Sequence, residues 1–335
     1  MKIGFQNVNA SINYSAGINV QARMWARGLA ELGHETVLIN YWEKIDYNSF
    51  DYIILLGVSK QLIEYHRLYR RFKHPKIVCA PIIDYNGPFW KFKVRSRYYG
   101  SLRLKINKPL HDLYKISKDF DLFLVRSQYE RKFIVDGLGV DVKKVHIIPI
   151  SMRLDDIPQN NIEKKENFCL HMSRLADPGK NVKNLILAAK KYGFNLKVGG
   201  TLNGEEQVKW LNKLIGDAPN ISYLGWLTEK QLRDVYSKAK VFALPSFVEG
   251  VGMVALEAAV YGAEIVLTNI GAPKEYYNGR AVLVNPYDID SIGTGVIEAM
   301  NSKQAQPELR DYILNNYSLG INMKQLENVL LNYLK

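Results

Sequence analysis

Cysteine is scarce in this sequence, with two residues among 335. Cys79 and Cys169 each lie inside a short apolar run, and no CxxC motif occurs. A disulfide framework and a cysteine-ligated zinc site both need more cysteines at regular spacing, so neither is favoured. We therefore expect both cysteines to be buried as small hydrophobic residues.

Long apolar runs are also missing. No window approaches the roughly 18 to 20 apolar residues that a membrane-spanning helix needs. The first five residues predict a β-strand, and no apolar stretch of signal-peptide length follows them. We therefore expect a cytoplasmic protein, with peripheral contact as its only form of membrane association.

Basic residues are what the sequence has in excess. Its 45 Lys and Arg residues outnumber 33 Asp and Glu residues, which gives a net charge of +12. Such a charge favours anionic partners, namely nucleotides, nucleic acid or an acidic membrane face, without choosing among them. The hydrophobic content of 47% is typical of a folded globular protein, and the length suffices for two domains.

Strand-length apolar runs alternate with segments of helical period along the chain, as in parallel sheets built from βαβ units. Two series of similar length predict an α/β protein with two sheets. The predicted domains are residues 1–152 and 168–320, joined by a polar linker at 153–167 that contains Pro158. A helix at 321–335 is expected to pack back on the first domain. The predicted strands are 2–8, 36–40, 51–57, 76–82, 121–127, 145–150, 168–173, 195–199, 221–225, 241–245, 264–268 and 281–284.

The segment from Pro245 to Gly262 carries the strongest chemical signal. A predicted strand ends at Pro245, a loop carries Glu249, and glycines precede a helix that carries Glu257. Glycines let the backbone approach a ligand, and a helix N-terminus presents free N–H groups to anionic oxygens. Carboxylates at such a strand end are good acceptors for vicinal sugar hydroxyls. The alternative is a glycine-rich turn whose glutamates are solvated or cap the helix.

The spacing of Glu249 and Glu257 within this run resembles the signature of glycosyltransferase family 4, whose members are retaining enzymes. Other segments follow in the family's order and spacing between Phe168 and Asp290. The resemblance implies the GT-B fold, in which two Rossmann-like domains face each other across a cleft. The matching segments are Ser173-Arg174-Leu175 with Gly179-Lys180-Asn181, Val198-Gly199-Gly200, Tyr223-Leu224-Gly225, and Asn269 to Glu275.

The resemblance also implies roles for individual residues. It makes Arg174, Lys180 and Glu249 the catalytic set: the two cations hold the donor diphosphate and offset the charge that builds on the leaving nucleotide. Glu249 contacts hydroxyls of the donor sugar, and Glu257 contacts the ribose. Because cations do this work, no metal or other cofactor is expected beside the nucleoside diphosphate sugar, which is the co-substrate. The further donor-binding positions are Gly17, Gly199, Gly200, Gly250, Val251, Gly252, Met253 and Gly271.

The first domain departs from the family pattern at two points. The family has a Gly-Gly pair in the loop after the first strand, whereas this chain has Ala16 followed by Gly17. A polar loop that ends in a helix-starting glycine is the alternative interpretation there. Many members also have a histidine at the end of the fourth strand. Here that strand leads into Asp84 and Tyr85, which are the acceptor-side candidates.

Residues 89–108 form a basic and aromatic segment, with seven Lys and Arg residues, five aromatic residues and no acidic one. Basic side chains beside aromatic and Leu residues suit an anionic bilayer surface. A solvated basic loop is an equally favoured interpretation, and stacking on nucleic-acid bases is a less favoured one. Membrane contact fits a lipid-linked glycan acceptor. The residues assigned to this contact are Trp90, Lys91, Lys93, Arg95, Arg97 and Arg103.

The predicted function is transfer of a sugar from a nucleoside diphosphate sugar to a hydroxyl acceptor, with retention at the anomeric carbon. Retention is implied by the resemblance alone. No carboxylate is placed as a covalent nucleophile, which favours a same-face displacement in which the leaving phosphate oxygen takes the acceptor's proton. The other hypotheses are a sugar-nucleotide epimerase or a glycan phosphorylase on the same fold, and a non-catalytic protein that binds glycan, nucleic acid or membrane.

Overall fold

A computed structural model describes the chain at residues 1–8, 17–40, 42–101, 108–153, 164–301 and 305–334. The chain divides into two compact units: Met1–Ser151 with Tyr317–Lys335 is the first unit, and Met152–Asn316 is the second unit. Each unit contains one six-stranded sheet. Within the described ranges, none of the helices combines the length and the apolar character that crossing a bilayer requires.

Six parallel strands form the sheet of the first unit. They are β1 (Lys2–Asn7), β2 (Glu35–Leu38), β3 (Tyr52–Leu56), β4 (Lys76–Ala80), β5 (Leu122–Val125) and β6 (Val145–Ile147). Their order in space is β2-β1-β3-β4-β5-β6, so the chain winds first to one side of β1 and then to the other. Every side chain of β3 is buried, as expected for a strand that is covered on both faces.

In the described part of the first unit, five helices connect these strands. A π-helical turn at Phe133–Gly137 follows the fifth helix, and short 3-10 turns occur at Tyr47–Ser49, Ser117–Asp119 and Val142–Lys144. The helices are α1 (Gly17–Glu31), α2 (Leu62–Tyr69), α3 (Phe89–Tyr98), α4 (Pro109–Ile116) and α5 (Gln128–Lys132).

The second unit repeats this architecture. Its strands are β7 (Glu166–Arg174), β8 (Leu196–Thr201), β9 (Ile221–Tyr223), β10 (Ala239–Leu244), β11 (Glu264–Thr268) and β12 (Val282–Val284). They are parallel and lie in the order β12-β11-β10-β7-β8-β9. The chain therefore leaves β7 in one direction through β8 and β9, and then crosses to the other side of β7 at β10. The strand order reverses between β7 and β10.

Among the residues that the structure describes, six helices belong to this second series. Two of them, Val182–Tyr192 and Ile289–Asn301, pack on the β-branched and small residues of the strands. Short 3-10 turns occur at Pro178–Lys180 and Pro273–Tyr276. The helices are α6 (Val182–Tyr192), α7 (Glu205–Ile215), α8 (Glu229–Lys238), α9 (Met253–Val260), α10 (Ile289–Asn301) and α11 (Glu308–Tyr317).

The helix α12 (Leu319–Leu334) returns to the first unit. Its Met323 and Leu330 are fully buried in the core cluster that also contains Trp25 of α1. Gly28 of α1 permits this packing, because a Cβ atom at that position would lie 2.4 Å from Cγ of Met323. The apolar face of α12 is therefore part of the core of the first unit.

The predicted α/β fold with two parallel sheets is confirmed, and each predicted strand corresponds to one that the structure contains. Only β11 has the predicted bounds, and the other strands differ at one or both ends by one to three residues. β7 begins at Glu166, so residues 166–167 of the predicted linker belong to the sheet, while Pro158 lies outside the described residues. β6 ends at Ile147 rather than at residue 150, because Pro149 has no N–H group to continue the ladder. Both cysteines are buried and unpaired, as expected.

Candidate functional site

The predicted donor-site residues cluster where β7 and β10 end, side by side in the sheet of the second unit. The strand order reverses at this pair, and doubly wound sheets bind their ligands at the carboxyl ends of such strands. The loops that follow the two strands are tied together. The backbone N–H groups of Phe247 and Val248 donate to the carbonyl oxygen of Gly179, at 2.8 and 3.2 Å.

Asn181 fixes the same junction. It adopts φ 58°, a left-handed conformation that asparagine tolerates. Its buried Nδ2 donates to the carbonyl oxygens of Pro245 at 2.8 Å and Pro286 at 2.7 Å. One side chain thereby holds together the loops that follow three strands of the sheet.

Lys180 and Glu249 form an ion pair at the centre of the cluster. Nζ of Lys180 lies 2.8 Å from Oε2 of Glu249, and the hydroxyl of Ser246 donates to the same oxygen at 3.1 Å. The two charged side chains are 21% and 10% exposed, so solvent screens their attraction only in part. The structure brings together two of the three residues that the sequence assigned to catalysis.

Arg174, the third, ends β7 and points into solvent. Its side chain is 73% exposed, and Nη2 lies 2.6 Å from Oδ2 of Asp177. The other carboxylate oxygen of Asp177 accepts the N–H of Gly179 at 2.9 Å and so begins the 3-10 turn that carries Lys180. An exposed ion pair of this kind contributes little to stability, so the guanidinium can exchange Asp177 for another anion.

Glu257 is held by a residue that the sequence did not point to. Arg153 donates from Nε to Oε1 at 2.8 Å and from Nη2 to Oε2 at 3.1 Å, and the hydroxyl of Tyr236 donates to Oε2 at 3.3 Å. The Glu257 side chain has no exposed surface, whereas that of Arg153 is 33% exposed. Hydrogen bonding to Glu257 raises the pKa of Arg153, and burial raises that of Tyr236.

Arg153 lies within the stretch that was predicted as a linker. Nothing in the local spacing connects it with Glu257, which is 104 positions away. The sequence indicates only in general that a carboxylate buried on a helix needs a cation as its partner. The polar composition of the linker contains such cations but does not single one out.

Three of the predicted glycines, Gly200, Gly252 and Gly271, have positive φ angles, a region that favours glycine. Gly200, next to Ser173 in the sheet, has φ 134°, and a Cβ atom there would lie 1.7 Å from the Ser173 carbonyl oxygen. Gly252 has φ 78° and precedes α9. Of the remaining positions, Gly199 lies in β8, Gly250 and Val251 lie in the loop before Gly252, Met253 begins α9, and Gly271 follows β11.

The candidate residues of the first unit lie at the carboxyl end of β4, apart from Gly17, which begins α1. Asp84 accepts a hydrogen bond from Nη2 of Arg126 at 2.6 Å, and this buried guanidinium also pairs with Glu130 of α5. The ring of Tyr85 packs edge-on against core phenylalanines, so its aromatic face belongs to the core. The loop from residue 9 to residue 16, including Ala16, lies outside the described residues.

The basic and aromatic segment forms helix α3 as far as Tyr98. Phe92 is buried in the core, while Trp90 is 62% and Tyr98 is 75% exposed. Lys91 Nζ lies 5.5 Å from the centroid of the Trp90 ring, within range of a cation–π interaction. Residues 89–98 of the segment are therefore a helix that packs on the core through Phe89 and Phe92, while residues 102–107 lie outside the described residues. Lys91, Arg95 and Arg97 are exposed and Lys93 is half-buried, whereas Arg103 lies outside the described residues.

Among the residues that the structure describes, no three His, Cys, Asp or Glu side chains are grouped as ligands for a metal ion. The expectation that transfer needs no metal stays a prediction.

The sequence profile of the family described as glycosyl transferases group 1 matches residues 152–317, the span of the second unit. The O-antigen chain mannosyltransferase B of Escherichia coli is 24% identical over 230 residues, which are 64% of this chain and 58% of that protein. A 41.2 kDa protein of the cps region of Klebsiella pneumoniae is 26% identical over 56% of this chain and 53% of its own length. The chain thus spans about half the length of the curated relatives it matches.

Solved structures resemble the fold over the whole chain. Sucrose-phosphate synthase from Thermosynechococcus elongatus superposes with a TM-score of 0.73 and 15% identity, covering 99% of each chain. At this identity the likeness concerns the fold, which is that of the GT-B glycosyltransferases.

Proposed function

Because the chain is a group 1, family 4-like glycosyltransferase, we propose that it transfers a sugar from a nucleoside diphosphate sugar to a hydroxyl group of a glycan acceptor, with retention at the anomeric carbon. The observation that carries the proposal is the ion pair of Lys180 and Glu249 at the point where the strand order reverses. A nucleotide sugar joins a diphosphate to a polyol. The pair places a cation, which suits the diphosphate, beside a carboxylate, which suits the hydroxyl groups of the polyol.

Lys180 is assigned to the leaving diphosphate. Its ammonium group has three N–H donors, and Glu249 engages one of them. A fixed cation aimed at the position where negative charge develops stabilises the transition state more than the ground state. Arg174 supplies a second positive charge once its guanidinium leaves Asp177. Because these two cations offset the charge of the diphosphate, we propose that transfer does not depend on a metal ion.

Glu249 is assigned to the donor sugar. Its Oε2 accepts from Lys180 and Ser246, and Oε1 has no partner among the described residues. This second oxygen is available to a sugar hydroxyl. Because the carboxylate is engaged in an ion pair, we do not assign it as a covalent nucleophile. A same-face displacement, in which the leaving phosphate oxygen takes the proton of the acceptor hydroxyl, accounts for retention.

The ribose role of Glu257 requires Arg153 to move. Both carboxylate oxygens are engaged by the guanidinium, and the Glu257 side chain is sealed from solvent. Ribose hydroxyls therefore compete with Arg153 for the same two oxygens. Since the nucleotide replaces a cationic donor with neutral hydroxyl donors, the ion pair lowers the apparent affinity for nucleotide.

We also propose a lipid-linked acceptor at the cytoplasmic face of an anionic membrane, with α3 as a peripheral contact. The exposed Trp90 and Tyr98, together with basic residues of the same helix, support this role. The name of the Escherichia coli relative refers to an O-antigen chain, which is a glycan. Nucleic acid is not among the proposed partners.

A thermal-shift panel tests the donor site. The protein is heated with UDP, GDP or ADP and with their common sugar conjugates, in EDTA and in Mg²⁺. A ligand at 100 times its dissociation constant stabilises by about 2.7 kcal/mol, which raises the midpoint by several degrees. We expect one base to give this shift in EDTA, and no shift with any nucleotide contradicts the proposal.

Turnover then separates transfer from related chemistry on the same fold. We expect the donor that binds to lose its sugar only when a hydroxyl acceptor is present. Conversion of the donor alone to an isomer indicates an epimerase, and phosphate-dependent release of sugar phosphate indicates a phosphorylase. Either result contradicts sugar transfer.

A further inference from the structure

A chain of hydrogen bonds leads from the core of the second unit to the carboxyl end of β7. Nδ1 of His171 lies 2.8 Å from the carbonyl oxygen of Ala243 on β10, and Nε2 lies 2.7 Å from Oγ of Ser173. His171 has no exposed surface, whereas Ser173 is half-buried and directly precedes Arg174. None of the roles proposed above uses either residue.

The direction of these bonds follows from the groups involved. A carbonyl oxygen only accepts, so Nδ1 of His171 carries the proton and donates it to Ala243. Burial, which outweighs the raising effect of the bond to Ala243 and is assisted by the charge of Lys180, lowers the pKa of His171 to about 4, so the ring is neutral at physiological pH. Its Nε2 then has a lone pair, and the Ser173 hydroxyl must donate to it.

The Ser173 oxygen is left with lone pairs only. It can accept a hydrogen bond from a ligand but cannot donate one, so it repels phosphate oxygens and suits a hydroxyl group. On the neighbouring strand, Gly200 pairs with Ser173 and contributes no side chain at this level. In this part of the site, Arg174 and Lys180 are thus the cations suited to a phosphate, and Oγ of Ser173 is an acceptor suited to a hydroxyl group.

We propose that Ser173 is a contact for the transferred sugar: its oxygen accepts a hydrogen bond from a sugar hydroxyl, and His171 is the positioning residue that fixes the orientation of the serine hydroxyl. The sugar is favoured over the ribose because Ser173 lies near the end of β7, and the turn that follows this strand carries Lys180, which is paired with Glu249, the residue assigned to the sugar. This inference rests on the proposed function and extends it to recognition of the sugar.

Isothermal titration of Ser173→Ala tests the contact. The two ligands are the nucleoside diphosphate selected by the thermal-shift panel and its sugar conjugate. We expect the variant to bind the conjugate about tenfold more weakly and the diphosphate within about twofold of the wild type, the scale for one hydrogen bond. Equal weakening of both ligands, or no weakening of either, overturns the proposal. Failure of the wild type to bind any nucleotide instead overturns the donor site itself.

Two variants of His171 test the positioning role. The amide oxygen of Gln extends to the position of Nε2 and accepts from Ser173, whereas Asn is too short to reach it and keeps only the bond to Ala243. We expect His171→Gln to bind the conjugate within about threefold of the wild type and His171→Asn to be as weak as Ser173→Ala. The reverse order overturns the role of His171. If neither variant folds, titration with donors that each lack one sugar hydroxyl tests the same contact.

Removing the hydroxyl that contacts Ser173 should weaken donor binding to the wild type about tenfold and should not change donor binding to Ser173→Ala. Equal losses of affinity in the two proteins overturn the proposal.

Discussion

Arg153 and Glu257, 104 positions apart, form a two-point ion pair in which both carboxylate oxygens accept from one guanidinium. The Glu257 side chain is fully buried, and Arg153 is the cation that pairs with it. The pair therefore connects two properties of the second unit. It compensates a buried charge, and it occupies the carboxylate that is assigned to the ribose.

Replacing Arg153 should separate these two effects. In Arg153→Gln the buried carboxylate loses its cation, and we expect the free energy of unfolding to fall by about 2–3 kcal/mol. The folded variant should bind nucleotide about tenfold more tightly, because ribose no longer competes with a guanidinium. Denaturation and titration with the same nucleotide check both. Weaker nucleotide binding in the folded variant would show that Arg153 itself contacts the ligand.

Loss of Lys180 should affect transfer more than folding. We expect Lys180→Ala to reduce kcat/KM by about 10²-fold or more, the scale for one group that stabilises developing charge. Lys183→Ala is the matched control, because Lys183 is an exposed lysine on α6. It should retain the wild-type rate. Near-normal turnover in Lys180→Ala would remove this residue from the site.

Asn181 should matter for its conformation as well as its hydrogen bonds. Asn181→Gly keeps access to positive φ but leaves the carbonyl groups of Pro245 and Pro286 without their donor. Asn181→Ala adds backbone strain of about 1 kcal/mol. We expect the thermal midpoint to be highest for the wild type, lower for Asn181→Gly and lowest for Asn181→Ala. Equal midpoints for the two variants would mean that the left-handed conformation carries no cost.

Membrane binding through α3 predicts a difference between two exposed tryptophans. Trp90 of α3 is 62% exposed, and Trp226 of the second unit is 69% exposed. In sedimentation with anionic phosphatidylglycerol vesicles, Trp90→Ala should bind several-fold more weakly than the wild type, while Trp226→Ala should not differ from it. Binding should also weaken as salt is added. Equal losses in the two variants would count against α3.

His171 predicts how stability depends on pH. Its folded pKa of about 4 lies below the unfolded value near 6.5, so the unfolded chain takes up the proton first. Its contribution to stability is therefore complete above about pH 6.5 and is lost as the pH falls toward 4, amounting to at most about 3 kcal/mol. Denaturation between pH 7 and 4 should show a shallower decline for His171→Gln than for the exposed control His74→Gln. Parallel declines would exclude His171 as the cause.

The sequence predicts most of the fold because each strand and helix shows its pattern within a short stretch of the chain. Apolar runs of strand length are visible one at a time, and parallel sheets follow from their alternation with helices. The proximity of Lys180 and Glu249 was also predictable, since each residue follows a strand that ends at the same edge of the sheet. The structure adds that they form one ion pair.

The remaining site features depend on contacts between distant residues. The partner of Glu257 was not predictable, because any of the three basic residues in the predicted linker, Arg153, Lys164 and Lys165, can supply a cation. The bond from His171 to Ala243 joins neighbouring strands that are far apart in sequence, and no spacing indicates it. Tyr85 was assigned to the acceptor side from its place after a strand, yet its ring packs against Phe92 and Phe133. Aromatic residues suit either environment.

The return of α12 to the first unit has a consequence for the order of folding during synthesis. Residues 1–151 emerge from the ribosome first, but Trp25 and Gly28 face a position that Met323 and Leu330 must fill. The first unit cannot complete its core until α12 has been translated, by which time the whole second unit is available to fold. Of the two units, the one that is translated first is therefore the one whose core is completed last. A fragment that stops at residue 151 exposes the apolar face of α1.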